Sequence, residues 1–263
     1  MTNVISFPGL NIGPFKICES FSLFGLDIHL YGLIIGIGIL CAYLYAIKTC
    51  KKHNLTQDNV TDILLFGLPS AIVCARLYYV LFELDQFENF WDIFKIWNGG
   101  IAIYGAVIGA VISTYIYCRV KKINVFSAFD IGAIGLLIGQ IFGRWGNFVN
   151  AEAFGSPTEL PWGMKIENIS LEIAFHPTFL YESLWNLGVL VILLIRRDKR
   201  AFDGELFFLY IILYGLGRFW IEGLRMDSLY LGHVRISQLV AALCVVVGIV
   251  FIILKRKTIK KTT

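Results

Sequence analysis

Arginines, carboxylates and amides stand inside stretches of this sequence that are otherwise apolar, and their spacing is helical. Tyr214, Arg218, Glu222 and Arg225 follow at intervals of four, four and three, so a helix gathers them into one stripe. Such a stripe either fastens helices together by an internal ion pair or holds an anionic ligand. A second group is Gly143-Arg-Trp-Gly-Asn-Phe-Val-Asn-Ala-Glu-Ala-Phe-Gly155. Arg144 and Asn147 share a helical face, Asn150 and Glu152 follow, and Gly143, Gly146 and Gly155 permit close backbone approach. A guanidinium flanked by amides suits a phosphodiester, because it pairs bidentately with phosphate oxygens. Arg144 taken alone is equally explained as an interfacial anchor.

Two further groups are weaker. In Gly99-Gly-Ile-Ala-Ile-Tyr-Gly-Ala-Val-Ile-Gly109, Gly105 and Gly109 form a small face for tight helix contact. Tyr104 beside them reads, by itself, as an aromatic of the membrane interface. Arg76, next to Tyr78 and Tyr79, either snorkels to that interface or belongs to a site. His176-Pro-Thr-Phe-Leu-Tyr-Glu182 leads into another apolar stretch. A helix start explains its Pro-Thr but not the buried pair Tyr181 and Glu182.

The elements that position these residues follow from composition. Of the 263 residues, 57% are hydrophobic and 16% charged, against roughly 25% charged in a soluble domain. The apolar residues gather in stretches near the roughly 20 residues that span a bilayer: 28–47, 60–82, 100–118, 126–143, 178–195, 205–224 and 236–254. The expectation is an all-α polytopic membrane protein, a bundle of about seven transmembrane helices forming one domain over residues 1–263. Pro69 is expected to kink the second span, which membrane helices tolerate.

Orientation follows from the basic residues, which concentrate in cytoplasmic loops. Lys48, Lys51 and Lys52; Arg119, Lys121 and Lys122; Arg196, Arg197, Lys199 and Arg200; and Lys255, Arg256, Lys257, Lys260 and Lys261 make up 15 of the 23. All fall on one side of a seven-span chain. The loop 83–99 carries Glu83, Asp85, Glu88 and Asp92 against Lys95. The N-terminus is therefore expected outside and the C-terminus inside, with residues 1–27 an external lead-in and 144–177 a small extracytoplasmic head. The lead-in has no basic start and contains Pro8 and Pro14, so the first span is expected to serve as an uncleaved insertion signal. The net charge of +4 is explained by flanks facing anionic lipid, not by nucleic acid. Six cysteines without a C-x-x-C pair suggest neither a disulfide framework nor a metal site.

Ionisable groups within spans cost about 2.5–3.5 kcal/mol each at the centre and usually mark function. In this topology Tyr31, Arg76, Tyr104, Arg144, Asn147, Tyr181, Glu182, Arg218 and Glu222 all lie toward the outer leaflet, which makes one convergent site the economical reading. A transporter of a small anionic solute is the alternative. It would need a polar path to the cytoplasmic face, where only Asp62 and Asp130 stand near the surface, and no internal repeat is visible.

Together the motifs resemble the phosphatidylglycerol–prolipoprotein diacylglyceryl transferase family. The matching pieces are Tyr31-Gly32, Ala75-Arg76-Leu77, the glycine segment around Tyr104, Gly-Arg-x-x-Asn-Phe-x-Asn-x-Glu from Gly143 to Glu152, His-Pro-x-x-x-Tyr-Glu from His176, and Tyr-Gly-x-x-Arg-Phe-x-x-Glu from Tyr214, with Arg225 beyond. The resemblance implies transfer of an sn-1,2-diacylglyceryl group from phosphatidylglycerol to the lipobox cysteine of a preprolipoprotein signal peptide, at the bacterial cytoplasmic (inner) membrane. It implies no metal and no cofactor, phosphatidylglycerol being a co-substrate. Arg144, Arg218, Tyr104 and Glu222 then fall at catalytic positions. Asn147, Tyr31, Gly155 and Tyr214 fall, with Arg144, at donor-binding positions, and Asn150, Glu152, Arg76, Tyr181, Glu182 and Arg225 at supporting ones. Where many members carry a histidine proposed as base, this chain has Tyr104. A free phenol titrates near 10, so no general base is assigned.

Overall fold

The computed structural model describes every residue except Met1, Phe24, Glu88, Leu171, Asp227, Leu229, His233 and Thr263. Glu88, one of the acids of the loop 83–99, therefore lies outside the described residues. Seven helices carry the fold: α1 (Leu30–Thr49), α2 (Gln57–Phe82), α3 (Ile103–Lys121), α4 (Val125–Val149), α5 (Thr178–Arg196), α6 (Glu205–Glu222) and α7 (Ile236–Thr262). Among the described residues, six are long and apolar enough to cross a membrane, which marks a polytopic membrane protein. The exception is α6, whose 18 residues include Glu205, Arg218 and Glu222. Its charges are the ones with the most chemistry to offer.

The chain packs as two compact units, Tyr45–Ile131 and Met1–Leu44 with Gly132–Thr263. In the first, α2 and α3 form a tight hairpin. Thr56 and Asn59 cap α2 reciprocally, each backbone N–H donating to the other's side chain at 3.1 and 3.0 Å. The helix continues as one element across Pro69. Gly105 and Gly109 press against the α2 backbone, where an added Cβ would meet the carbonyls of Cys74 and Ser70. This is the close contact that the small face leads one to expect. At the other end the Tyr117 hydroxyl donates to Asp62 at 2.7 Å.

The second unit holds a small sheet that the apolar pattern does not announce. In it β1 (Thr2–Phe7) pairs antiparallel with β2 (Ile12–Cys18) on one side and with β5 (Lys165–Ile166) on the other. Two short hairpins complete the strands, β3 (Ser20–Leu23) with β4 (Leu26–His29) and β6 (Tyr230–Leu231) with β7 (Val234–Arg235). Alternation along β1 turns Asn3 and Ile5 inward. Ile5 joins Met164, Ile166 and Phe179 in a buried core, with Phe148 and Phe154 packed against it. The buried Asn3 amide is satisfied by the Val149 carbonyl at 3.0 Å, Glu19 at 3.2 Å and Asn168 at 3.1 Å. The lead-in is thus folded onto the end of α4.

Two helix ends differ from the apolar stretches, and both differences matter for chemistry. α4 runs on through Val149, past the apolar stretch 126–143, and carries Arg144 and Asn147 on its last turns. α6 stops at Glu222, where Gly223 and Leu224 turn the chain, and Arg225 pairs instead with Gly155 in an isolated bridge. The four-residue stripe expected on α6 is therefore a stripe of three.

Candidate active site

The helical residues singled out above converge on one carboxylate. Glu182, in the first turns of α5, has 3% of its side chain exposed. Its Oε2 lies 2.8 Å from Arg144 Nη2 of α4, and its Oε1 lies 2.9 Å from Arg218 Nη1 of α6. Arg225 approaches the same Oε1 at 3.4 Å. Arg218 also pairs, one turn along its own helix, with Glu222 at 2.7 Å. Three guanidiniums are thus held by two carboxylates that are almost fully buried, while the arginines keep 10–19% of their side chains exposed. Like charges stay this close only because the carboxylates lie between them.

Neighbouring side chains set the orientation of Arg144. Its Nη1 donates to Asn147 Oδ1 at 3.1 Å, and Asn147 Nδ2 donates to Glu152 at 2.9 Å. Gly146 leaves room for Tyr31, whose ring lies 2.6 Å from where a Cβ would stand. Gly155 serves packing: a side chain there would meet His176, Thr178 and the Leu224 carbonyl. The turn around it is pinned by Gly155 N–H to the His176 carbonyl at 2.9 Å and Ser156 N–H to the Leu224 carbonyl at 2.7 Å. That turn is what carries Arg225 to Glu182. Asn150 sits half-buried just past α4, its N–H on the Gly146 carbonyl at 3.0 Å.

Other expected residues have different duties. Tyr214 stacks on Tyr210, with ring centroids 5.5 Å apart. The Tyr181 hydroxyl accepts from Trp162 at 2.7 Å and faces His176 Nδ1 at 3.2 Å, tying α5 to the segment 144–177. Arg76 and Tyr104 belong to the other unit. Arg76 is 7% exposed and does not snorkel. Its guanidinium donates to four backbone carbonyls, those of Ile93, Gly99, Gly100 and Asp92, at 2.7–2.8 Å. It organises the loop that leads to α3, and Gly100, with φ +75°, leaves the space its Nη1 fills. Tyr104 opens α3 with its ring 6.3 Å from that of Tyr78.

Sequence spacing finds the Arg218–Glu222 pair but misses the centre of the cluster. Glu182 has Thr178 and Asn186 one turn away on its own helix, so all its partners come from elsewhere in the chain. Spacing gives no sign of Arg235 either: at the end of β7, immediately before α7, it grips the Glu222 carbonyl.

The arrangement presents several guanidinium N–H groups on rigid helices, with positive charge exceeding negative among the paired side chains. It is suited to hold an anion and to stabilise charge that grows on it. A family model described as prolipoprotein diacylglyceryl transferase matches residues 19–254. The chain belongs to that family. It is similar to a phosphatidylglycerol–prolipoprotein diacylglyceryl transferase of Finegoldia magna, 43% identical over 245 residues, which cover 92% of this chain and 97% of the relative. A protein of the same name from Lysinibacillus sphaericus is 46% identical over 255 residues, 92% of this chain and 93% of its own. That of Clostridioides difficile is 41% identical over 232 residues, 88% and 92%. In this member of the diacylglyceryl transferase family, the segments beginning at Gly143, His176 and Tyr214 supply Arg144, Glu182 and the Arg218–Glu222 pair of the cluster.

Proposed function

We propose that this protein transfers the sn-1,2-diacylglyceryl group of phosphatidylglycerol to the lipobox cysteine of preprolipoproteins. The thiol sulfur bonds to the glycerol carbon that bears the phosphate, and the carbon–oxygen bond breaks. Its electron pair stays on the phosphate, so a thioether and sn-glycerol 1-phosphate result, and the thiol proton is lost. The diester carries one negative charge, and the departing monoester approaches two.

The single observation that carries this reading is the grip of Arg144 and Arg218 on opposite oxygens of Glu182, within a chain of this family. Arg144, oriented by Asn147, binds the donor phosphate. Arg218, held by Glu182 and Glu222, faces the charge that develops as the phosphate leaves. Tyr31 packs on Gly146 beside Arg144, while Gly155, Tyr214 and Tyr104 enter the donor site through the family resemblance alone. The reaction needs no cofactor or metal. The protein sits in the bacterial cytoplasmic membrane, N-terminus out and C-terminus in, with the site toward the extracytoplasmic half. The basic clusters that end α1, α3, α5 and α7 support that orientation.

The test is purified protein with head-labelled and acyl-labelled phosphatidylglycerol and a lipobox peptide. The acyl label should move to the peptide and the head label to glycerol phosphate, while a cysteine-to-serine peptide stays unmodified. Absence of transfer, or equal labelling of the serine peptide, overturns the proposal.

A further inference from the structure

Beneath the ion cluster lies a second, uncharged polar layer. The cluster sits at the ends of α4, α5 and α6 that adjoin the segment 150–177. One turn further into the bundle, Gln140 follows Arg144, Asn186 follows Glu182 and Tyr214 follows Arg218, each four residues away. Because Arg144, Glu182 and Arg218 touch, the three deeper residues stand at one level. Gln140 Nε2 donates to the Tyr210 hydroxyl at 2.9 Å. Asn186 is different: it is 2% exposed, and its Nδ2 has no hydrogen-bond partner among the described residues.

A buried amide N–H is almost always paired, so this one calls for an acceptor from outside the chain. Building on the proposed function, we infer that Asn186 donates to an ester carbonyl of the diacylglyceryl donor and so sets the depth at which the lipid sits. With the phosphate on Arg144 and Arg218, the nearer ester carbonyl lies two glycerol carbons and an ester oxygen beyond the bridging phosphate oxygen. One helical turn, about 5.4 Å, separates the cluster from Asn186. An ester carbonyl oxygen only accepts and Nδ2 only donates, so the two match, whereas Gln140 Oε1, an acceptor, has nothing to offer an ester. Asn186 is thus a positioning residue for the donor, remote from the bonds that change.

The experiment compares diacyl phosphatidylglycerol with its dialkyl ether analogue, which keeps the phosphate and the reacting carbon but lacks both carbonyl oxygens. Full-length protein in detergent micelles is assayed at saturating lipobox peptide. For the native protein, kcat/KM should be about tenfold lower with the ether, the size of one neutral hydrogen bond. Asn186→Leu should lose about tenfold with the ester and show no preference between the two lipids. Equal use of both lipids by the native protein overturns the inference without any variant having to fold. So does an Asn186→Leu protein that loses the same factor on both, which is what a merely structural role predicts. If neither lipid donates to the peptide, the proposed function itself fails and takes this assignment with it.

Discussion

The Glu182 carboxylate and the Arg144 guanidinium meet at 2.8 Å, and the other oxygen of the same carboxylate lies 2.9 Å from Arg218. One acid therefore joins α4, α5 and α6 and spaces the cations around it. Glu182→Gln keeps the volume and removes the charge, leaving three guanidiniums facing Glu222 alone. Breaking a buried pair costs about 3–5 kcal/mol, and the partial exposure of the arginines puts this case at the lower end. Thermal unfolding in detergent should show a clear loss of midpoint for Glu182→Gln and a smaller one for Glu182→Asp. An unchanged midpoint would mean that the carboxylate does not hold the cluster.

Arg144→Ala should lower turnover by about 10²–10³, the range seen when one preorganised donor to a developing anion is removed. The variant should remain folded, because Glu182 keeps Arg218 and Arg225. Arg144→Lys should recover little, since an ammonium cannot pair with Asn147, Glu182 and a phosphate in one plane. Near-normal activity of a purified alanine variant removes phosphate binding from this residue.

Tyr104→Phe separates two roles that a phenol at the start of α3 could play. If the hydroxyl orients the donor or the thiol, the loss should be that of one neutral hydrogen bond, roughly 0.5–1.5 kcal/mol or about tenfold. This is the outcome expected. A drop of about a thousandfold with disappearance of the basic limb of the pH–rate profile would instead make Tyr104 the proton acceptor.

Burial holds the His176 imidazole below its usual value, beside the Tyr181 hydroxyl at 3.2 Å. The unfolded chain then takes up the proton first as pH falls, from about 6.5 downward. The stabilisation is fully present above that pH and is lost as pH falls through the depressed folded value. The midpoint of the native protein should drop between pH 7.5 and pH 5, and His176→Phe should flatten that part of the profile. Parallel profiles for the two proteins would exclude His176 as the source.

Long apolar runs made the helices legible, since a bilayer demands about 20 such residues whatever packs beside them. Gly105 and Gly109 were legible as a packing face because a small residue at each turn leaves few other uses. The Arg218–Glu222 pair was legible because both partners lie on one helix. Glu182 as the centre was not, because its three partners come from α4, α6 and the turn beyond α6. Nor was the sheet of the lead-in, whose short strands owe their place to Ile5 against Met164 and Ile166 and to Asn3 on Val149. Arg76 read as either snorkelling or part of a site. Its four carbonyl partners come from loop backbone, which carries no side-chain signature.

Those partners have a consequence for how the protein is made. Every acceptor of the Arg76 guanidinium lies between Asp92 and Gly100, in the connection between the two helices of its own hairpin. As the nascent chain enters the bilayer, this cation is covered as soon as α2 and α3 close on each other. The ions around Glu182 have no such local provision: α4, α5 and α6 must all be present before Arg144, Glu182 and Arg218 can meet. The order of synthesis therefore lets the Arg76 charge be covered within one hairpin, whereas the Glu182 centre waits for three helices.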